Sequence, residues 1–177
     1  MLDEICPVQF IEGINECGKC NTQNFLDIQG YQFVAIEYNP ESTYCLTALE
    51  ILIDHSPALG AREFDIALHS DYDGRPSDII LSRGKLATKV NSESVGTQFV
   101  RFVDWGKVDL NPVVVIRSSK YWITTRPDGR QLSLATAVDG DTTNMMAAES
   151  GKWRPDKLFS DWKCMLRFYG RILPVSN

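Results

Sequence analysis

The sequence has no long apolar run and no cluster of basic residues. Its longest apolar stretches, Leu49–Ile53 and Val113–Ile116, are far shorter than the roughly 20 residues needed to cross a bilayer. Acidic residues outnumber basic ones 23 to 18, for a net charge of −5, and no Lys/Arg-rich run is present that would follow a phosphate backbone. We therefore expect no membrane span and no nucleic-acid partner.

Recognisable catalytic patterns are also lacking. The chain contains two histidines, His55 and His69, and neither stands in a metal-binding or catalytic spacing. There is no Gly-Xaa-Ser-Xaa-Gly nucleophile turn, no His-Glu-Xaa-Xaa-His and no phosphate-binding glycine loop. The sequence therefore predicts a protein that is not an enzyme, and His69 is expected to face a loop at a strand end.

What is present is a series of short runs in which every second residue is apolar, the pattern of strands with one buried face. Cys45, Leu49, Ile51 and Ile53 are predicted to share one face of their strand, and the β-branched run Val113–Ile116 is predicted to be fully buried. The eight predicted strands lie near residues 33–36, 45–53, 64–68, 99–103, 113–116, 120–125, 132–138 and 164–169.

Turn residues separate these runs, at 39–40, 57–60, 73–74, 111–112, 127–129 and 139–140. The segment 141–149 is expected to form at most a turn or two of helix. A hydrophobic content of 44% in 177 residues fits one core. About eight short strands without helices between them predict an all-β, antiparallel, jelly-roll-like sandwich over residues 30–177.

Residues 1–29 differ in composition and are predicted to form an N-terminal arm that contains cysteines. Its apolar positions either add an edge strand to a neighbouring subunit or form the first strand of the chain's own sandwich. The N-terminus is acidic where a secretory signal would be basic, and it begins with Met1. We therefore expect synthesis in the cytoplasm without a signal peptide.

The order of features resembles a known family, the jelly-roll, carbohydrate-binding-module-like domains of surface-anchored prokaryotic proteins and phage structural proteins. The resemblance covers roughly residues 30–170 and implies a fold more than a ligand. It rests on Gly30-Tyr31-Gln32-Phe33, Leu46–Ile53, Phe64–Leu68, Asp71–Ser77 with Leu81-Ser82, Phe99–Phe102, Val108-Asp109-Leu110, Tyr121-Trp122-Ile123, Trp153 and Met165–Gly170.

Five cysteines, an odd number, leave at least one thiol unpaired within the chain. Cys17 and Cys20 are spaced as a redox pair, half a zinc site or disulfide halves, and we expect disulfides from Cys6, Cys17 and Cys20, within or between subunits. Cys45 and Cys164 fall in strands and are expected to be buried thiols.

Two turns carry paired carboxylates around a glycine: Asp71 and Asp73 before Gly74, and Asp139 and Asp141 on either side of Gly140. Oxygen-rich turns of this kind bind calcium, although Asp and Gly also occupy them for their backbone geometry alone. We therefore expect no cofactor, with calcium at these turns as the alternative that stays open.

Trp105, Trp153 and Tyr72 lie beside turn residues and are the aromatic residues predicted to meet a ligand or a partner. Trp122 and Trp162 are assigned to the core.

These observations predict a structural assembly protein, in particular a virion component such as a capsid decoration or a tail or fibre subunit. Its expected partners are copies of itself and other structural proteins, joined by the arm and its cysteines. Two alternatives stay open: a carbohydrate-binding module that takes a surface glycan, and an extracellular filament subunit whose arm completes a neighbour's sheet.

Overall fold

The structure is a computed structural model that describes residues 7–13, 25–28, 33–55, 62–88, 102–126, 132–137, 145–149, 152–155 and 163–173. These residues form strands and no helix, so no helix that could cross a membrane occurs among them. The strands are β1 (Gln9–Gly13), β2 (Phe25–Ile28), β3 (Phe33–Tyr38), β4 (Tyr44–Asp54), β5 (Glu63–Tyr72), β6 (Arg75–Ala87), β7 (Val103–Val115), β8 (Tyr121–Arg126), β9 (Leu132–Ala137), β10 (Met145–Glu149), β11 (Lys152–Pro155), β12 (Lys163–Cys164) and β13 (Leu166–Ile172).

The strands form two antiparallel sheets. The seven-stranded sheet has the order β1-β13-β4-β9-β12, with β2 also paired to β9 and β7 to β4. The six-stranded sheet has the order β11-β10-β3-β8-β5-β6. The predicted all-β antiparallel sandwich is thus confirmed, with more strands than the eight predicted, while the jelly-roll connectivity stays a prediction.

One hydrophobic core fills the space between the sheets. It takes alternate side chains of each strand, for example Leu49, Ile51 and Ile53 from β4 against Ile66 and Leu68 from β5, all of them buried. Burial of each such side chain contributes roughly 1.5–3 kcal/mol. A smaller cluster of Leu52, Ala135 and Met165 lies on the other face of the seven-stranded sheet.

Along one side of the sandwich, β6 of one sheet runs close beside β7 of the other. A Cβ added at Gly84 would lie 2.4 Å from the backbone oxygen of Asp109, so the close approach requires glycine. The hydroxyl of Ser82 donates to the carbonyl of Asn111 at 2.6 Å. These contacts join the two sheets along this side.

The edge strand β1 is held by a chain of hydrogen bonds that leads from an exposed backbone amide to a buried pair of tyrosines. Glu12 accepts a hydrogen bond from the Tyr38 hydroxyl at 2.5 Å and another from the Glu41 amide at 2.8 Å. The hydroxyls of Tyr38 and Tyr44 lie 2.5 Å apart, and burial raises the pKa of both. Of the predicted arm, residues 9–13 pair with β13 and residues 25–28 pair with β9 of the same chain. The boundary of the arm at residue 29 stays a prediction.

The expectation of helix in 141–149 was wrong for its described part, because Met145–Glu149 is strand β10 between β3 and β11. Alanine and methionine favour helix in isolation, but pairing on both sides overrides this preference.

Two predictions of burial were also wrong, that for Cys45 and that for Val113–Ile116. Between Leu46 and Ala48 of β4, the single residue Thr47 lies opposite three residues of β7, 110–112. The turn predicted at 111–112 is therefore a bulge inside the continuous strand β7. Opposite β13, Thr47 is one extra residue of β4 between the pairs Leu46–Gly170 and Ala48–Tyr169, and this bulge shifts the alternation so that Leu46 is in the core and Cys45 is not. Val113–Ile116 is not fully buried either, since Val114 and Ile116 are 49% and 54% exposed.

Candidate functional site

A groove of about 290 Å³ lies on the outer face of the six-stranded sheet. Its floor is made of small side chains, Ala67 of β5 and Thr124 of β8, which are direct neighbours in the strand register. Because successive residues of a strand point to opposite faces, these residues face outward while Ile66 and Ile123 face the core. Small residues at the centre of a sheet leave room for a ligand above it.

One wall of the groove is aromatic. Ala148 of β10 pairs with Phe33 on one side and with Trp153 on the other, and all three line the groove. Neighbouring strands are about 4.8 Å apart, so the two aromatic residues stand roughly 10 Å apart with an alanine between them. This spacing creates a recess between two rings.

The opposite wall is charged. Arg83 of β6 pairs with Ala67, and its exposed side chain makes no hydrogen bond or ion pair with the residues that the structure describes. Asp65 also lines the groove, but Lys85 binds its carboxylate at 2.6 Å and contacts Glu63 at 3.4 Å. The charge of Asp65 is therefore compensated, whereas no described residue compensates that of Arg83.

His69 lies between these walls rather than facing a loop as predicted. Its Nδ1 lies 2.8 Å from the Ser77 carbonyl oxygen, which only accepts, so Nδ1–H donates and Nε2 accepts from the Thr124 hydroxyl at 3.1 Å. Burial, with a smaller contribution from the charge of Arg83, lowers the pKa of His69. The lowered pKa makes the imidazole neutral at pH 7. Its hydrogen bond to Ser77 holds the part of β6 that bulges out opposite β5.

The carboxylate pair at the β5–β6 turn has a structural explanation. Asp71 accepts from the indole Nε1–H of Trp122 at 2.7 Å and from the amide of Gly74 at 3.2 Å. Asp73 and Gly74 both have positive φ, as a tight hairpin turn requires. No group of three His, Cys, Asp or Glu residues gathers within the described ranges. Calcium binding stays a prediction, and its second turn, Asp139 and Asp141, lies outside those ranges.

The three predicted aromatic residues lie in three separate places. Trp153 lines the groove, as described above. Trp105 lies on the outer face of the other sheet, where the guanidinium of Arg167 covers its ring at 3.8 Å. Tyr72 is 64% exposed at the end of β5, with the guanidinium of Arg75 5.8 Å from its ring centre. Trp153 is therefore the predicted aromatic residue that belongs to the groove.

A second recess, on the outer face of the seven-stranded sheet, has compensated charges. Lys107 contacts Asp109 at 2.8 Å, and Glu50 binds both Arg167 at 3.2 Å and the Tyr169 hydroxyl at 2.7 Å. Because these groups already have partners, this recess offers a charged ligand less than the groove on the six-stranded sheet does.

The cysteines predicted to form disulfides, Cys6, Cys17 and Cys20, lie outside the described residues, so those pairings stay predictions. Cys45 is half-buried and Cys164 is buried. Burial raises the pKa of Cys164 to about 12, which keeps it protonated and unreactive.

Sequence reasoning did not assign Phe33, Thr124 or Arg83 to a site. Alternation along β3 and β8 shows which of their residues point away from the core, and that signal could have found the first two. The register that places Arg83 beside Ala67 depends on a bulged hairpin between β5 and β6, which the sequence does not show.

Comparisons with known proteins show the fold alone. No protein family matches the chain, and neither does any curated protein. Among solved structures, the chain is similar to a clostridial cysteine protease, Cwp84, after propeptide cleavage, with a TM-score of 0.57 and 11% sequence identity. The match covers 94% of this chain and 40% of the protease chain, so the chain spans about two-fifths of that protein's length.

Proposed function

We propose that this domain is a non-enzymatic binding module that takes a saccharide in the groove on the six-stranded sheet. The observation that carries the proposal is the recess between Phe33 and Trp153, which opens onto a floor of small residues and faces Arg83, whose charge is not paired among the described residues. Ligand sites of this type combine apolar walls with a few placed polar groups.

A sugar ring matches this arrangement chemically. Its faces carry C–H groups that pack on an aromatic side chain, and its rim carries hydroxyls that exchange hydrogen bonds with charged groups. Phe33 and Trp153 supply the aromatic surfaces. On the opposite wall, Asp65 supplies a hydrogen-bond acceptor and Arg83 a donor. A purely apolar ligand would gain nothing from the charged wall.

The same contacts argue against catalysis in this groove. A general base needs a free nitrogen or oxygen within reach of the proton that it removes. Both ring nitrogens of His69 are engaged, and Asp65 is held by Lys85. The structural likeness to a protease carries no activity to this chain, because 11% identity supports the fold alone.

Titration of the full chain with a panel of neutral and acidic oligosaccharides, followed by NMR, tests this proposal. We expect the Trp153 indole signal to shift and the Trp153→Ala variant to lose about five- to 100-fold in affinity, by analogy with the stacking of a base on an aromatic ring, which contributes about 1–3 kcal/mol. The matched control is Trp105→Phe, on the other sheet, which should bind normally. Equal binding by the Trp153→Ala variant and the parent would contradict the proposal.

A second proposal retains the predicted role in assembly, as a subunit of a virion or a filament. It is supported by exposed apolar residues where β4 begins and β7 and β13 end: Val114, Ile116 and Ile172, the last 57% exposed. Exposed apolar patches mark interfaces between proteins. Light scattering after size exclusion, with and without reductant, should show an oligomer that the double substitution Val114→Asp and Ile172→Asp dissociates; a monomer in both conditions contradicts it.

A further inference from the structure

We infer that the groove selects a saccharide that carries a carboxylate, such as a hexuronate, and that Arg83 is the residue that binds this carboxylate. The inference rests on the proposed function and adds the chemical class of the ligand. It is carried by the charge balance of the groove and by the position of Arg83 relative to the aromatic wall.

The groove has one uncompensated charge among its described lining residues, and that charge is positive. Asp65 is the one lining acid in the described part, and it is bound by Lys85, which stands just outside the groove. His69 is neutral, with both ring nitrogens in hydrogen bonds. Arg83 has neither an ion pair nor a hydrogen bond with a described residue. An anionic ligand would therefore be attracted and would displace no partner of Arg83 in the described part of the chain.

The strand order sets the distance between Arg83 and the rings. From β6 the order runs through β5 and β8 to β3, so the backbone of Arg83 lies three strand spacings, or about 14 Å, from the strand that carries Phe33. Thr124 and Ala67 lie in register with Arg83 on the two strands between, so a saccharide that packs beside Phe33 and extends over them approaches Arg83. Its substituent on the far side then points toward the guanidinium, which reaches inward from β6.

Guanidinium geometry distinguishes a carboxylate from a hydroxyl. The planar group offers two parallel N–H donors that match the two oxygens of a carboxylate, whereas a neutral sugar hydroxyl accepts one hydrogen bond. Since Arg83 is solvent-exposed, the gain is that of a well-aligned exposed ion pair. We expect a preference of about five- to tenfold for the charged ligand over the same ligand without its charge.

The experiment compares trigalacturonate with its methyl ester, which has the same skeleton and no charge. Isothermal titration with the full chain should show the five- to tenfold preference for trigalacturonate, and the Arg83→Gln variant should bind both ligands equally. Arg117→Gln removes an exposed arginine at the β7–β8 turn, away from the groove, and should keep the preference. Thermal unfolding of both variants should match the parent, because neither side chain holds a described partner.

The outcomes separate this inference from the proposed function. If both ligands bind equally to the parent, or if the preference survives Arg83→Gln, the inference is wrong. Should Trp153→Ala still weaken the binding of both ligands in that case, the proposed saccharide site stands. If neither ligand binds while another oligosaccharide shifts the Trp153 signal, the selection of carboxylates is refuted and the groove is retained.

Discussion

Removal of the Glu12 carboxylate should loosen the edge strand β1 and lower the stability of the whole sandwich. The carboxylate accepts two hydrogen bonds, from the Tyr38 hydroxyl and the Glu41 amide, and it is the link between β1 and the β3–β4 connection. Hydrogen bonds to a charged group contribute about 1.5–3 kcal/mol each when buried. One of these two bonds is exposed, and Tyr38 keeps Tyr44 as a partner. We therefore expect Glu12→Ala to cost about 2–4 kcal/mol.

For a domain of this size, that loss corresponds to a fall in Tm of about 5–15 °C. Urea unfolding followed by tryptophan fluorescence measures the free energy directly. The control is Glu63→Gln, which removes an exposed carboxylate 3.4 Å from Lys85 and should change stability by less than about 1 kcal/mol. A double-mutant cycle with Tyr38→Phe, which keeps the ring stacked 4.0 Å from that of Phe168, should give a coupling energy of about 1–2 kcal/mol. A Glu12→Ala variant as stable as the parent would show that the Glu12 carboxylate does not hold β1 to the β3–β4 connection.

Three further predictions concern the core. Burial raises the pKa of Tyr38 and Tyr44, so their contribution to stability is complete below the unfolded-state pKa of about 10. Above that pH the free energy of unfolding should fall by up to about 1.4 kcal/mol per pH unit for each tyrosine. Urea unfolding between pH 8 and 11.5 should show this slope, and Tyr44→Phe should flatten it. Gly84→Ala should destabilise by about 1–3 kcal/mol, because the new Cβ meets backbone at 2.4 Å; an unchanged urea midpoint would show that β6 and β7 are not held as described. Iodoacetamide labelling of the reduced native protein, mapped by mass spectrometry, should modify Cys45 before Cys164, and equal rates would contradict the burial of the latter.

Much of the sandwich could be predicted from alternation, because each strand buries one face. Runs such as Phe64, Ile66 and Leu68 lie in the core as that pattern requires. The Asp73-Gly74 turn was equally visible, since both residues tolerate the positive φ that they adopt. Prediction failed where tertiary pairing overrides local preference, at β10, and where the bulge at Thr47 shifts the alternation.

The candidate site was less predictable, because it depends on register between strands that are distant in sequence. Trp153 was identified as a binding aromatic residue from its position beside a turn, but its partners in the groove come from β3, β5, β6 and β8. Phe33 and Trp153 are 120 positions apart in the sequence and lie on either side of Ala148 because both of their strands pair with β10. No local sequence pattern predicts this arrangement of Phe33 and Trp153, because it depends on the pairing of β10 with a strand on each side.

Arg83 owes its position to the same contacts that close the sandwich. Its two neighbours along β6, Ser82 and Gly84, are those that fix this strand to β7, one by a hydrogen bond of 2.6 Å and the other by backbone contact. Because side chains alternate along a strand, fixing these neighbours toward β7 directs Arg83 to the outer face. The backbone of Arg83 is therefore held by the contacts of its neighbours, while its exposed side chain can meet a ligand without displacing the sheet. Because β6 supplies both Arg83 of the groove and the contact with β7, a substitution that moves β6 should alter binding and stability together.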